Sequence, residues 1–131
     1  MPATLFVTLR EIALHCWPEA PEKRAYQRES HRHTFEIRIS TPLDQRKPLD
    51  AHSLLDDARE AFSHMAGRER DLLDRSCEQI ALGLAGYLCE LHLRPMTVEC
   101  AEDGECGASV SVDYLGLFKP DGETQTDIAM A

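Results

Sequence analysis

The sequence predicts an α+β domain: an antiparallel four-stranded sheet with two helices on one face, in the order β-β-α-α-β-β. Three observations carry that expectation. Apolar residues alternate over 31–41, recur at three- and four-residue steps over 51–65 and again over 76–91, and two β-rich runs joined by a Gly-containing turn close the chain. The 131 residues have room for one core, so the chain reads as a single domain, its core spanning about 4–118.

Residues 4–14 are rich in Leu, Val, Ile, Phe and Thr, which suits a strand apolar on both faces. Pro18 and Pro21 then remove ladder donors and fix φ, so a loop runs to about Glu29. In the second strand, 31–41, His31, His33, Phe35, Ile37 and Ile39 share one face, and Arg32, Thr34, Glu36, Arg38 and Ser40 the other. A turn bracketed by Pro42 and Pro48 leads to Asp50, placed to cap a helix over 51–65, with Leu49 and Leu54 spaced as a hydrophobic staple. That helix should bury Leu54, Leu55, Ala58, Ala61, Phe62 and Met65. After a charged connector, 67–74, Ser76 and Gln79 form a capping-box pair that opens a second helix through Ile80, Leu84, Leu88 and Leu91, ended before Pro95. Strands at 96–102 and 108–118 follow, joined by Asp103-Gly104-Glu105-Cys106-Gly107, a turn whose residues tolerate φ > 0. Residues 119–131 read as a frayed tail. Edge strands and one sheet face stay uncovered, which self-association would remedy, so an oligomer is expected.

The charge balance, 14 Lys+Arg against 23 Asp+Glu for a net −9, argues against nonspecific binding of a phosphate backbone, so no nucleic-acid partner is expected. There is no apolar run of membrane-spanning length and the first residues show no signal-peptide pattern, so the expected location is the cytoplasm. Cys16, Cys77, Cys89, Cys100 and Cys106 form no CxxC pair and read as small packing residues of a reduced protein.

The six histidines are more informative. His31 and His33 project from one face of a strand, about 7 Å apart at Cα, close enough to converge on one metal ion. His15, at the end of the first strand, is the natural third ligand for an open three-nitrogen site, and neutral imidazoles suit Zn²⁺ on ligand type, with nickel or iron as alternatives. Taken alone, an HxH pair is more often two surface histidines.

Four pieces stand in register along the chain: His15, then His31-Arg32-His33, then Ser76-Cys77-Glu78-Gln79-Ile80-Ala81, then Glu102 five residues before Gly107-Ala108. Over roughly 5–115 this pattern resembles the 6-pyruvoyltetrahydropterin synthase and 6-carboxytetrahydropterin synthase family of the tunnelling fold. The resemblance implies His15, His31 and His33 as zinc ligands and Glu102 as the carboxylate that anchors a pterin. It also implies a lyase-type reaction on a dihydroneopterin triphosphate-like substrate, by elimination or side-chain cleavage. Finally, it implies a hexamer of two trimers closing a barrel, with Glu102 and the histidines of one site drawn from neighbouring chains. A bidentate, acceptor-only carboxylate does complement the paired N–H donors of an aminopyrimidinone edge.

The pattern also breaks. Tyr26 to Ser30 holds no Cys where the family keeps its base, Arg32 replaces the glycine of its H-G-H, and His64, placed like the relay histidine, follows Ser63 rather than Asp. Glu29 shares parity with His31 and His33 if the strand starts early, and is the candidate replacement base; Cys16 is a weaker one, because adjacent strand residues face opposite ways. Two further readings stay open: a catalytically degenerate pterin- or purine-binding protein acting as sensor, scaffold or inhibitor, and an acidic oligomer whose histidines bind nothing.

Overall fold

A computed structural model describes residues 3–113. Four strands form one antiparallel sheet in the spatial order of the chain: β1 (Thr4–His15), β2 (His31–Pro42), β3 (Met96–Glu102) and β4 (Cys106–Val112). Helices α1 (Ala51–Ala66) and α2 (Cys77–His92) fall between β2 and β3. The expected strand at 108–118 begins two residues early; its part beyond 113, and the tail at 119–131, lie outside the described residues.

The pleat sorts each strand into a core row and an outer row. Val7, Leu9 and Ala13 of β1, Phe35, Ile37 and Ile39 of β2, and Met96, Val98 and Cys100 of β3 are buried in one cluster with Leu54, Ala58 and Phe62 of α1 and Ile80, Leu84 and Leu88 of α2. Both helices therefore cover the same face. The outer face keeps Arg10 paired with Glu36 at 2.6 Å and the Arg38 guanidinium 4.0 Å over the Phe6 ring. Phe6 and Ile12 are exposed there, so β1 is buried on one face and not on both. No helix among the described residues is long and apolar enough to cross a membrane.

The helix ends follow their caps. The Asp50 carboxylate accepts from the His52 and Ser53 backbone N–H groups, and bonding to Ser53 and His52 holds its carboxyl below the usual range. Ser76 and Gln79 make both bonds of the capping box, 3.1 and 2.8 Å. At the far end of α2, Leu93 turns left-handed (φ 54°) and leaves Leu91 exposed, while His92 Nε2 lies 2.9 Å from Asp57 Oδ2 of α1.

Two connections differ from expectation. The loop after β1 contains a 3-10 helix, Glu22–Gln27, flanked by a Trp17 N–H to Gln27 carbonyl bond of 2.7 Å. The charged connector is also ordered: Leu14 donates to the Arg70 carbonyl at 2.6 Å, Leu72 to that of Leu14 at 2.8 Å and Cys16 to that of Leu73 at 2.8 Å. Leu72 is fully buried beneath it. A single buried apolar side chain inside a charged run thus fastens the connector alongside the end of β1.

At the β3–β4 turn, Asp103 (φ 54°) and Gly104 (φ 73°) are left-handed, as a tight hairpin turn requires. Just beyond, Gly107 faces Ala101 across the ladder, and a Cβ there would lie 2.6 Å from Ala101 Cα and overlap the Cys100 carbonyl oxygen. Gly86, within α2, has open space instead. Equilibrium denaturation should separate the two: Gly107→Ala should cost about 2–4 kcal/mol, whereas Gly86→Ala should stabilise by about 0.5–1 kcal/mol.

Candidate metal centre

The core row of the sheet does not end apolar. Beyond Phe35 the same parity brings His33 and His31 on β2, His15 on β1 and Glu102 on β3, with His15 opposite His31 and Phe35 opposite Glu102 in the ladders. The three rings lie with centroids 4.5–5.9 Å apart, and one nitrogen from each ring lies within 4.8 Å of the other two. His15 and His33 also pack edgewise on Phe35, at 6.1 and 6.0 Å, so the apolar core forms the floor of the cluster.

Each ring has one nitrogen committed outward. His15 Nε2 donates to the Arg75 carbonyl at 2.7 Å, His31 Nδ1 to the Glu29 carbonyl at 2.8 Å, and His33 Nδ1 to Asp103 Oδ2 at 2.6 Å. Those acceptors carry no hydrogen, so the proton of each neutral ring sits on the committed nitrogen. The lone pairs of His15 Nδ1, His31 Nε2 and His33 Nε2 are therefore left for the interior of the cluster. His15 Nδ1 is buried with no hydrogen-bond partner, and His31 Nε2 and His33 Nε2 stand 2.8 Å apart. Two lone pairs at that distance repel unless a proton or a metal cation lies between them. Imidazoles bound by their inner nitrogens and tethered outside by carbonyls and a carboxylate are the usual arrangement around a bound metal. The residues fit a metal ion.

Charge points the same way. The Glu102 carboxylate, its side chain 21% exposed, places Oε1 3.7 Å from His15 Nδ1 and Oε2 3.7 Å from His33 Nε2. Asp103 is held by its own N–H donating to the Thr34 carbonyl and by the Thr34 N–H donating to Oδ1. That backbone bond, with His33 behind it, keeps the Asp103 carboxyl below its ordinary range. Burial depresses His15 against the opposing pull of Glu102, so the ring favours the neutral form a metal needs.

The structure thus unites His15, His31, His33 and Glu102 within one chain, although the resemblance drew Glu102 and the histidines from neighbouring chains. Glu29 enters through its backbone carbonyl; its side chain is exposed, because β2 begins at His31 and the parity that would turn the carboxylate inward does not extend to it. His64 is exposed on α1, where it lines a groove with Glu60, Met65, Gly83 and Tyr87 apart from the three-histidine group. Cys16 lies just past β1, half-buried.

Asp103, the Arg75 carbonyl and Cys77 were not singled out from sequence as parts of the site. Cys77 opens α2 close enough to Cys100 and Glu102 for both to act on its thiol. Bonding from Cys100 pulls the Cys77 thiol down, while the same bond and burial push Cys100 well up. The Asp-Gly turn was the one available signal for Asp103; nothing in the sequence marks a main-chain carbonyl.

Fold and site together define an α+β protein with a three-histidine group able to hold a metal ion. Compared with known proteins, the chain matches no protein-family model and no curated protein.

Acid should weaken the metal-free protein. A histidine depressed from 6.5 in the folded state binds its proton first in the unfolded chain, so its contribution is intact above 6.5 and declines as pH falls through the window below it. Denaturant titrations at pH 7.5 and 5.5 should show lower stability at the acid end, and His15→Gln should narrow the difference.

Proposed function

We propose that this chain is a zinc-dependent enzyme of the pterin synthase type, acting on a dihydroneopterin triphosphate-like substrate by elimination or side-chain cleavage. The observation that carries the metal part is the convergence of three ring lone pairs, each fixed by an outward hydrogen bond. The pterin part is supported by the order and spacing of the four sequence pieces, three of which, His15, His31-Arg32-His33 and Glu102, supply the clustered side chains.

Zinc, the metal favoured by neutral imidazole ligands, would polarise substrate side-chain oxygens and acidify the adjacent C–H. His15, His31 and His33 would hold it. Glu102, partly exposed beside them, has free acceptor capacity for the 2-amino and ring N–H groups of a pterin. Glu29 stands at the rim as the proposed base, its backbone anchored through His31, and His64 would act only from a neighbouring copy. The same reading includes a cytoplasmic location and a hexamer of two trimers, joined through the edge of β4 and the stretch of the β1 edge before Leu14, which no strand covers among the described residues.

A second reading, a degenerate protein that binds a pterin or purine as sensor, scaffold or inhibitor, is favoured by one observation: the Glu29 and His64 side chains are both exposed and outside the histidine group. Turnover decides between them. Protein purified without added metal should carry about one zinc per chain. His31→Ala should lose it, and chelation should lower Tm, since the metal's contribution follows mass action. On a pterin triphosphate, turnover reduced about 100-fold or more by Glu29→Gln supports the enzyme; tight binding without turnover supports the second reading. Light scattering should show a hexamer, and a monomer would count against the assembly.

A further inference from the structure

We infer that Glu102 is itself a metal ligand, closing the three-histidine group into a His₃Glu site within a single chain. This rests on the metal reading above but not on the pterin reading. It departs from the role the resemblance gives Glu102, that of a substrate anchor alone.

Position comes first. Glu102 is the last residue of β3, in the row that continues through Cys100, Val98 and Met96, so the pleat turns its side chain to the same face as the three imidazoles. Its two oxygens address different rings: Oε1 is 3.7 Å from His15 Nδ1 and Oε2 is 3.7 Å from His33 Nε2. Both nitrogens carry lone pairs, because their rings donate from the other nitrogen to Arg75 and Asp103. An ionised carboxylate is acceptor-only. Three acceptors therefore face one another at distances too long for hydrogen bonds, and one of the nitrogens is buried with no partner. A cation set among these two nitrogens and the carboxylate resolves that conflict. Ligands about 2.0–2.1 Å from a tetrahedral zinc stand about 3.3 Å from each other. Each 3.7 Å separation, one from each carboxylate oxygen, is a few tenths of an ångström longer than that spacing, and the 2.8 Å His31–His33 separation lies on its other side, so one oxygen has only to swing a short way in to join the three rings.

Each ring is tethered from outside by an acceptor, and Glu102 is the last residue of β3, its place in the row fixed by the pairing of Phe35 with Glu102. A carboxylate also lowers the charge left on a divalent ion by three neutral imidazoles, which matters where His15 is 9% and His33 14% exposed at the side chain. A site closed in this way rests with Glu102 on the metal. A chelating substrate would have to displace one carboxylate oxygen, freeing it to accept from the incoming molecule.

Zinc itself is the probe, with the full-length chain and Glu102→Gln, an isosteric change that removes the charge and the second oxygen. Competition titration with a chromophoric chelator should show zinc affinity reduced about tenfold or more in the variant. Infrared difference spectra, metal-loaded minus metal-free, should show a shifted carboxylate stretching band in the parent that is missing in Glu102→Gln. The band separates ligation from mere electrostatic attraction, which would lower affinity without perturbing the carboxylate. A parent without the band, or a variant that retains it or loses less than tenfold in affinity, overturns the inference. Glu102→Asp, which keeps the carboxylate on a shorter arm, should restore part of the affinity, and its unfolding curve without metal guards against a folding defect in the glutamine variant. If the parent takes up no zinc at all, the metal reading fails with it; if parent and Glu102→Gln take it up equally, only the role of Glu102 fails.

Discussion

The pleat of the sheet and its helical cover are mismatched in length, and the site depends on that mismatch. Over most of the sheet the core row meets α1 and α2 and is apolar: Val7, Leu9, Phe35, Ile37, Ile39, Val98 and Cys100 are all buried. At the end of that row the same parity continues into His15, His33, His31 and Glu102. Phe35 marks the boundary, in contact with Phe62 at 6.3 Å on one side and with His15 and His33 on the other. A one-residue slip of β2 against β1 would send both of its histidines to the outer face and Arg32 inward. The alternating apolar residues that forbid that slip thereby also fix the ligand geometry.

Position alone would not make a metal centre, because an imidazole can present either nitrogen. The choice is made by three hydrogen bonds drawn from three segments: the end of the loop before β2 (Glu29), the connector before α2 (Arg75) and the β3–β4 turn (Asp103). Each lies outside the regular elements, and each is held by local backbone structure. Arg75 is brought up by the connector bonded along the end of β1 and buried through Leu72. Asp103 sits in a left-handed turn and bonds Thr34 on both sides of its peptide row. Irregular segments here act as the clamp and regular strands as the platform, the usual division of labour between loops and scaffold.

How much of this was legible in the sequence follows from what kind of atom does the work. Alternation in β2, the Asp50 and Ser76 caps and the stripes of both helices are side-chain patterns, and the elements they imply are present with ends shifted by a residue or two. The His31–His33 pair and Glu102 were legible for the same reason: strand parity reads directly from spacing. Two of the three tethers are main-chain carbonyls, which every residue type carries, so no sequence pattern announces them. Glu29 shows the limit of the method, since parity predicts an inward carboxylate only if the strand extends to it, and strand ends are where pattern is weakest. The connector hid its order for a related reason. Six of its eight residues are charged or small, and the leucine that organises it, Leu72, gives no period.

The chain's charge adds a last step. With a net charge of −9, the protein already attracts cations over its surface, but diffuse negative charge neither selects a metal nor keeps it. Selection would come from confining the negative charge to Glu102, facing the histidine cluster, and to Asp103, set behind the neutral ring of His33. Such a site must be assembled before it can bind, because its histidines come from β1 and β2, the Glu102 carboxylate beside them from β3, and its tethers from three further segments. In the unfolded chain His15 and Glu102 are separated by most of the domain. Metal binding at this site would thus be coupled to closure of the whole sheet, and the free energy of occupancy would stabilise the register that creates the site.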